Sequence, residues 1–286
     1  MPNLSELEKQ KAFTVEQLQN VIETSNIIKL NDTESIHYDG RHYDLIYGNC
    51  FVFSNLVGWD VSLLSDLASQ SGKSVLALCC GNGRIAIPLT EQGFQVTGID
   101  ISDSMLQEGR KRSEQVEWLK ADVRDFDLKK KFSLIILPLN SINHILSLAD
   151  LEACFNCVKN HLEPEGRFVI DMTNDYTKEN LEAFWSNSRS LVSVYPDPDS
   201  KGTVVVTSLA EFDSVEQTGK LKMFFKLLGQ EKEFLEEFKF RVYHPNELEM
   251  LLKFCGLTIE RKLGNYEQEP FTSLSPNHII ISKLCK

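Results

Sequence analysis

Two patterns of apolar and polar residues follow one another along this chain, and each pattern predicts a different kind of β-sheet. From residue 73 onwards, short apolar runs alternate with segments in which apolar residues recur at helical spacing. Strands separated by helices of this length are typical of a parallel, doubly wound α/β sheet with right-handed crossovers. The predicted strands are residues 74–79, 95–100, 116–120, 132–137 and 167–171, and the predicted helices are residues 83–91, 105–113 and 149–161.

The rhythm changes after residue 185, where four strand-like segments are separated by short turns. These segments are residues 191–195, 203–212, 221–228 and 233–243, and they predict an antiparallel β meander inserted into the α/β core. The α/β rhythm then returns with a helix from Pro245 to Cys255, which Gly256 ends, and with two final strands. The expected fold class is α/β, with a mostly parallel, seven-stranded, Rossmann-like sheet, an antiparallel insertion and N-terminal helices.

The first 36 residues carry apolar side chains at helical spacing and predict one or two amphipathic helices. We expect a helical cap over residues 1–60, a core over residues 61–188 and 244–286, and an insertion over residues 189–243. A dense aromatic group follows the predicted helices and includes Tyr38, Tyr43 and Tyr47. These rings either cap a ligand pocket or pack the N-terminal helices onto the core, and the sequence leaves both possibilities open.

Composition narrows the classes of molecule that this chain is expected to bind. The chain has 286 residues, of which 42% are apolar and 25% charged, as in ordinary globular proteins. Its net charge of −11 argues against nucleic acid as a partner, because nucleic-acid-binding proteins usually present a basic face. The start of the chain lacks the basic and apolar regions of a signal peptide, and its longest charge-free run contains proline, asparagine and histidine. We therefore expect a cytoplasmic protein without a membrane partner, either a monomer or a homodimer.

The cysteines do not predict a metal site. Cys154 and Cys157 form a C-x-x-C pattern, but they lie within an apolar helical pattern, and no second pair or histidine cluster stands nearby in the sequence. Buried structural thiols are the expected outcome.

The most informative stretch is V-L-A-L-C-C-G-N-G-R, residues 75–84. An uninterrupted apolar run is typical of a buried parallel strand, and this one ends in a turn with glycines at Gly81 and Gly83. Glycines at that point allow the backbone to approach a ligand without intervening Cβ atoms. Because open α/β sheets bind ligands at the carboxyl ends of their strands, the turn predicts a site for a nucleotide-like cofactor.

Two acids stand at the ends of the next two predicted strands. Asp100 ends the second strand, where it can accept hydrogen bonds from both ribose hydroxyls, and Asp122 follows the third, where it can accept from the amine of adenine. Each feature alone is weak, since the glycine turn also fits a dinucleotide fingerprint through Gly81, Gly83 and Ala86. The ordered set of three is more specific.

With these motifs, the sequence from about Tyr38 to the C-terminus resembles the class I S-adenosylmethionine-dependent methyltransferases. Y-D-L-I-Y-G at residues 43–48, L-P-L-N-S-I-N-H at residues 137–144, the meander and E-P-F-T-S-L-S-P at residues 269–276 are similar to the amino-sugar N-methyltransferases. The resemblance implies an enzyme that uses S-adenosyl-L-methionine to methylate a nitrogen or oxygen of a small-molecule metabolite.

The resemblance also implies roles for individual residues. His144 is the candidate catalytic group, because imidazole can accept a proton near neutral pH. The candidate acceptor-binding residues are Tyr47, Asn143, Arg241 and Glu269. The candidate cofactor-binding residues are Tyr38, Tyr43, Cys79, Gly81, Gly83, Arg84, Asp100, Ile101, Met105, Asp122, Val123, Leu139 and Asn140.

Two positions depart from the family pattern, which usually has an acid where Ala77 stands and glycine where Cys79 stands. The missing carboxylate removes an electrostatic partner near the amino group of the cofactor. In addition, residues 137–144 lack the N-P-P-Y or D-P-P-Y arrangement with which resembling enzymes grip planar amines of DNA bases or glutamine. This absence favours a discrete metabolite over a nucleic acid or a protein.

Two other functions stay open at this stage. A nicotinamide-dependent (NAD) oxidoreductase could use the same glycine turn, although the sequence offers no Tyr-x-x-x-Lys pair for hydride transfer. A cofactor-binding protein without methyl-transfer activity is compatible with the departures at Ala77 and Cys79.

Overall fold

The computed structural model describes residues 26–30, 35–48, 59–177, 180 and 188–285. The chain divides into two compact units. The first unit takes its described residues from Met1–Asn55, Asn187–Ala210 and Leu221–Phe238, and the second takes its own from Leu56–Ser186, Glu211–Lys220 and Lys239–Lys286.

Helices and strands alternate along most of the described chain. The helices are α1 (Gly40–Gly48), α2 (Trp59–Ser71), α3 (Ala86–Glu91), α4 (Asp103–Arg112), α5 (Leu148–His161) and α6 (Pro245–Phe254), and a 3₁₀ helix spans Ser141–His144. The strands are β1 (Asn26–Lys29), β2 (Ser74–Leu78), β3 (Gln95–Asp100), β4 (Glu117–Lys120), β5 (Phe132–Leu137), β6 (Leu162–Thr173), β7 (Ser190–Pro196), β8 (Thr203–Asp213), β9 (Thr218–Leu227), β10 (Lys232–Arg241), β11 (Leu257–Leu263) and β12 (Asn277–Leu284).

The second unit is built on a seven-stranded sheet with the order β11-β12-β6-β5-β2-β3-β4. Strands β6, β5, β2, β3 and β4 pair in parallel, whereas β12 runs antiparallel to both of its neighbours. The mostly parallel, seven-stranded sheet predicted from the sequence is thereby confirmed. Its strand order reverses at β2 and β5, which is where open α/β sheets form a ligand crevice.

Both faces of this sheet are covered, because its central strands are apolar on both sides. All six residues of β5 are buried. One hydrophobic cluster contains Leu76, Ile135 and Phe168, and the cluster on the other face contains Ala77, Ile136 and Val169. Helices α5 and α6 contribute to the first cluster, and α2 and α3 to the second. With the interior of the sheet filled by side chains, ligand-binding groups are left at the strand ends.

The second sheet has the order β1-β10-β9-β8-β7 and forms the predicted meander. In the first unit, Tyr195, Val206, Met223 and Phe225 of this sheet cluster with Ile46 of α1, whose side chain is fully buried. Helix α1 therefore packs on the sheet through an apolar contact in the first unit.

One expectation for the N-terminal segment is wrong where it can be compared. Residues 26–29 form strand β1 instead of part of an amphipathic helix. The Asn26 amide donates to the Glu231 carbonyl and the Leu30 amide to the Leu235 carbonyl, both at 2.9 Å. Parallel pairing with β10 satisfies backbone groups that a local hydrophobic pattern does not reveal. Residues 1–25, which carry most of the predicted helices, lie outside the described residues.

Within the described ranges, no helix combines the length and the apolar character that crossing a bilayer requires.

Candidate active site

The glycine turn after β2 packs so closely against β4 and α3 that it excludes side chains. Gly83 has φ +98°, and a Cβ there would lie 2.5 Å from the Trp118 ring and 2.8 Å from Ile87. Gly81 has φ +56°, and its amide donates to Asp100 Oδ2 at 2.8 Å. Left-handed backbone and close packing together require glycine at these two positions. The turn therefore presents bare backbone at the sheet edge, as a cofactor cradle needs.

Cys79 shows how the chain accommodates one of its departures from the family pattern. The residue adopts φ +47°, a left-handed conformation that a residue with a Cβ rarely takes. Its thiol lies beside Ser141 of the 3₁₀ helix, and burial is the main cause that raises its pKa to about 12. The glycine turn thus forms with cysteine at this position, and the loop after β5 lies against it.

Asp100 is held at the end of β3 by backbone donors. Its Oδ1 accepts from the Ser102 amide and its Oδ2 from the Gly81 amide, each at 2.8 Å. Burial raises the pKa of this carboxyl group, and the amide hydrogen bonds oppose that rise. A carboxylate can accept about four hydrogen bonds, so both oxygens retain capacity for two ribose hydroxyls. The position and partners of Asp100 fit its predicted role.

The residues next to Asp100 offer apolar surface to a planar ring. Ile101 is 64% exposed, although its side chain is large and apolar. Met105 is buried in α4, and its methyl carbon lies 3.0 Å from the position that a Cβ on Gly81 would occupy. Ser102 caps this helix by accepting from the Met105 amide. An exposed aliphatic side chain beside the acid predicted to bind ribose offers a surface for the face of adenine.

Asp122 has a strong partner that the sequence did not predict. Arg124 donates to it through Nε at 2.9 Å and through Nη2 at 2.6 Å, and this pairing lowers the pKa of Asp122. An adenine amine would have to share the carboxylate with that guanidinium. Val123, between them, packs against the core cluster. The adenine contact of Asp122 stays a prediction.

The loop after β5 is strained and braced. Leu139 and Asn140 have φ +37° and +58°, two successive left-handed residues without glycine. The Asn140 amide donates to the Asp171 carbonyl at 3.0 Å, and its Oδ1 accepts from the Thr173 amide at 2.7 Å. The Asn140 side chain is therefore occupied in fixing the loop. This bracing places the 3₁₀ helix at the end of the sheet.

Two polar residues of the 3₁₀ helix, Asn143 and His144, suit a methyl-accepting molecule that carries an N–H or O–H group. Asn143 donates to Asp175 Oδ2 at 3.3 Å, while its own Oδ1 is buried and has no hydrogen-bond partner in the part of the chain that the structure describes. His144 reaches solvent, yet the protein around its ring lowers its pKa below 6.5 by desolvation, and the charge of Asp100 acts weakly in the opposite direction. A neutral imidazole thus stands on the Asp100 side of the site.

Arg241 and Glu269 differ in how they relate to this helix. Arg241 donates to the Leu146 carbonyl, two residues after His144, at 3.3 Å and pairs with Glu247 at 2.8 Å. Glu269 is exposed, and its hydrogen bonds join it to Asn265 within its own loop. The structure therefore brings Arg241 to the end of the acceptor loop, and the contacts described for Glu269 do not.

The predicted tyrosines belong to the first unit. The hydroxyl of Tyr47 lies 3.1 Å from His37 Nε2, and the rings of Tyr43 and Tyr47 lie 4.7 Å apart. The Tyr38 and His37 ring centroids are 4.6 Å apart. These residues form an aromatic cluster, and their contact with a cofactor or acceptor stays a prediction.

The cysteine pair of α5 occupies the core. Cys154 is fully buried in the first hydrophobic cluster, and Cys157 packs against it and donates to the Arg124 carbonyl. Across the described residues, no group of histidine, cysteine and acidic side chains is arranged to hold a metal ion.

Sequence reasoning missed a polar group on the other side of the glycine turn. Arg84 pairs with Asp60 of α2 at 2.5 Å, and Tyr266 donates to Asp171 at the end of β6. Asp171 carries the same signal as Asp100, namely an acid that ends an apolar strand. That signal could have identified it, whereas Asp60 and Tyr266 become visible only in three dimensions.

Comparisons with known proteins agree with this geometry. Residues 75–166, from the glycine turn through the acceptor loop, match the family model described as a methyltransferase domain. The putative methyltransferase YqeM of Bacillus subtilis is 27% identical over 201 residues, which cover 68% of this chain and 78% of that protein.

Two further similarities concern more specialised enzymes. The dTDP-3-amino-3,4,6-trideoxy-alpha-D-glucopyranose N,N-dimethyltransferase of Streptomyces venezuelae is 29% identical over 112 residues, covering 39% of this chain and 47% of that protein. The structure of the CcbJ methyltransferase from Streptomyces caelestis aligns with a TM-score of 0.69 and 21% identity, over 90% of this chain and 99% of that one. The matched residues contain Gly81, Asp100 and the 3₁₀ helix, so residues 75–166 form a methyltransferase domain, and the chain resembles the class I S-adenosylmethionine-dependent methyltransferases, with an amino-sugar N,N-dimethyltransferase among its relatives.

Proposed function

We propose that the chain transfers a methyl group from S-adenosyl-L-methionine to an amino nitrogen of a small-molecule acceptor. The observation that carries the proposal is the buried Oδ1 of Asn143, an acceptor without a partner among the described residues, next to the neutral imidazole of His144. A buried hydrogen-bond acceptor without a donor is costly, and an N–H or O–H of the bound methyl acceptor would satisfy it. The relatives named as N,N-dimethyltransferases favour nitrogen between the two.

Bound S-adenosyl-L-methionine supplies a methyl group activated on a sulfonium. In our proposal Asp100 accepts from the ribose hydroxyls, Ile101 and Met105 flank the adenine, and the backbone of the Gly81 turn lies against the cofactor. We also propose that Arg84, on the same turn, binds the carboxylate at the amino acid end of the cofactor. The protein mainly supplies alignment, because the sulfonium is already a good methyl donor.

His144 is the proposed proton acceptor. Burial lowers its pKa, so the imidazole is neutral at pH 7 and can take a proton from an acceptor that arrives as an ammonium ion. Asn143 would orient the same nitrogen through its Oδ1. A protonated amine would therefore interact with both Asn143 and His144, whereas a hydroxyl acceptor would depend less on proton removal by His144.

The proposed acceptor class is amino sugars, the substrates named for two of the curated relatives. The chain spans about half the length of those two relatives, 47% and 51%. An open cavity of about 530 Å³ in the second unit supports a sugar-sized acceptor, since Leu146, two residues after His144, lines it together with Phe212, Lys220 and Lys239. We propose that Arg241 borders the acceptor, and that Tyr38, Tyr43, Tyr47 and Glu269 contact ligands from their own segments.

Calorimetry followed by a transfer assay tests the proposal. S-adenosylhomocysteine should bind to the purified chain, and NADH should not. Incubation with S-adenosylmethionine and a panel of amino sugars, with the matched hydroxy sugars as controls, should add one or two methyl groups to an amino sugar by mass spectrometry. Methylation of the hydroxy sugars alone would contradict the choice of nitrogen, and binding without any transfer would favour a cofactor-binding protein.

We further propose a cytoplasmic location, the absence of a nucleic-acid partner, and a monomeric or homodimeric state.

A further inference from the structure

Four polar side chains, two of them buried acids, lie together beside the glycine turn, and we call them the Asp171 cluster: Asp60, Arg84, Asp171 and Tyr266. Asp60 is 1% exposed and Asp171 2% exposed. Arg84 Nη1 lies 2.5 Å from Asp60 Oδ2, and the Tyr266 hydroxyl lies 3.1 Å and 3.3 Å from the two oxygens of Asp171. Buried carboxylates are costly, so such a cluster calls for a specific cause.

The cluster lies on the face of the sheet that Ala77 occupies. Ala77 pairs with Ile136 on β5, and Ile136 pairs with Val169 on β6. Asp171 is two residues beyond Val169, so its side chain is on the same face, one step closer to the carboxyl edge. The chain therefore has alanine where resembling methyltransferases have an acid, and it has a carboxylate on the same face two strands away.

The charges of the cluster do not cancel. It contains two carboxylates and one guanidinium, and Arg84 and Tyr266 are only partly buried, with 20% of the Arg84 side chain exposed. Burial, followed by the charge of Asp60, raises the pKa of Asp171 to about 6, while Tyr266 and Arg84 oppose the rise. At neutral pH the cluster therefore favours an additional positive charge nearby, and the amino acid end of the cofactor carries an ammonium.

Asp171 also fixes the loop after β5. The Leu139 amide donates to its carboxylate, and the Asn140 amide donates to its carbonyl oxygen at 3.0 Å. These are the two residues with left-handed backbone in that loop. One residue thus contacts the acceptor loop directly and acts electrostatically on Arg84 of the glycine turn.

We propose that Asp171 is a positioning residue for the amino acid end of the cofactor, because it joins the acceptor loop to the Arg84 turn and supplies the negative charge that position 77 lacks. The inference rests on the proposed function. At 2% exposure Asp171 acts mainly through Leu139, Arg84 and Tyr266, with no direct contact to the reacting atoms.

Two ligands that differ only in the amino acid end provide the test. S-adenosylhomocysteine contains that end, and 5′-methylthioadenosine lacks it. Asp171→Asn keeps the shape of the side chain and removes its charge. We expect the dissociation constant for S-adenosylhomocysteine to rise about tenfold, as the loss of one charge-assisted interaction predicts. The constant for 5′-methylthioadenosine should change less than about twofold, within calorimetric scatter for a ligand that does not use the lost charge.

The thermal stability of the variant without ligand separates positioning from folding. A folded pKa above the ordinary value of 3.8 means that the fold disfavours the charged form, so the charge of Asp171 costs stability above about pH 6. Asp171→Asn should therefore unfold at or above the wild-type temperature while it binds S-adenosylhomocysteine less tightly. Asp66→Asn, at an exposed position of α2, is the matched control and should change neither property.

Tyr266→Phe is the second variant, and it retains the acid. Without the hydroxyl, the pKa of Asp171 should rise further, since the hydrogen bond from Tyr266 lowers it. The pH below which S-adenosylhomocysteine affinity declines should then move upward, while 5′-methylthioadenosine shows no such shift. Asp60, Arg84 and Tyr266 are the charged and titratable groups that act on Asp171 from its neighbours in this experiment.

The outcomes are distinguishable. Equal losses for both ligands in Asp171→Asn, or no loss for either, would overturn the role of Asp171, as would an unshifted pH profile in Tyr266→Phe. Failure of the wild-type chain to bind either ligand would instead overturn the proposed function.

Discussion

Asp100 and Asp171 are two acids near the carboxyl edge of the sheet, and they differ in the groups that they contact. Asp100, at the end of β3, accepts two backbone amides and still has capacity for a ligand. Asp171, at the end of β6, is buried and accepts from a tyrosine hydroxyl and from the Leu139 amide. Burial raises the pKa of both carboxyl groups, so burial alone does not separate their roles.

The difference lies in what surrounds each carboxylate. Exposed Ile101 follows Asp100, so a ligand has apolar surface beside the acid. The neighbours of Asp171 are Asp60, Arg84 and Tyr266, so its charge acts through protein groups. An acid at the end of a strand therefore indicates a ligand-binding site, and the groups around the acid decide whether its carboxylate contacts the ligand directly.

The largest expected effect concerns the acid with room for a ligand. If Asp100 binds the ribose as we propose, Asp100→Ala removes two charge-assisted hydrogen bonds, and we expect a loss of about 3 kcal/mol or more, roughly 10²-fold or greater in affinity. Unlike Asp171→Asn, it should weaken 5′-methylthioadenosine as strongly as S-adenosylhomocysteine. Calorimetry with both ligands measures this, with Asp103→Ala as the surface control. Near-normal binding would remove Asp100 from the cofactor site.

His144→Ala tests whether the proton acceptor lies on the Asp100 side. Turnover at pH 7 should fall about 10²-fold, a typical contribution of general base catalysis, with little change in S-adenosylhomocysteine affinity. Because desolvation lowers the pKa of His144, the wild-type rate should be constant above pH 6.5 and decline only below it. The variant should lose that decline. A wild-type rate that is independent of pH from 5 to 9 would contradict the assignment.

Gly83→Ala examines the turn that lies between the two acids. A methyl group would meet Trp118 and Ile87 at less than 3 Å, and φ +98° is unfavourable for alanine. We expect a loss of about 2 kcal/mol in unfolding free energy. Thermal or urea unfolding measures it, and Gly93→Ala is a useful control because it has a similar φ and open space around it. Equal stability of the two variants would show that packing at Gly83 is not limiting.

The smallest effect is expected at Asp122. Arg124→Ala releases this carboxylate from its partner at a cost to stability below about 1 kcal/mol, because the pair is partly exposed. If Asp122 binds the adenine amine, cofactor affinity should rise by about threefold as the competing donor disappears. Titration of Arg124→Ala and of Arg124→Ala with Asp122→Asn separates the two contributions. A decrease in the single variant would mean that Arg124 itself supports the cofactor.

The parts of the molecule that the sequence predicts well are those that depend on local chemistry. The run ending at Cys79 is buried on both faces, so its apolar pattern is continuous, and the turn needs glycine for steric reasons within a few residues. Asp100 is connected to Gly81 across one pair of neighbouring strands. The mostly parallel sheet and the crevice at its carboxyl edge follow from the same local alternation of strands and helices.

The parts that the sequence did not reveal depend on distant partners. Strand β1 exists because β10, about two hundred residues away, offers backbone groups to pair with. The Arg124 partner of Asp122 is close in sequence, but competition between a side chain and a ligand is invisible in a pattern of residue types. Tyr266 reaches Asp171 from a loop 95 residues away.

Cys79 has one more consequence, for the protection of the enzyme from its own reagent. A sulfonium is an alkylating agent, and a thiolate is among the strongest nucleophiles in a protein. Because burial raises the pKa of the Cys79 thiol to about 12, this group stays protonated at pH 7. The Cys79 sulfur at the edge of the crevice can therefore lie near a reactive methyl donor without itself becoming methylated.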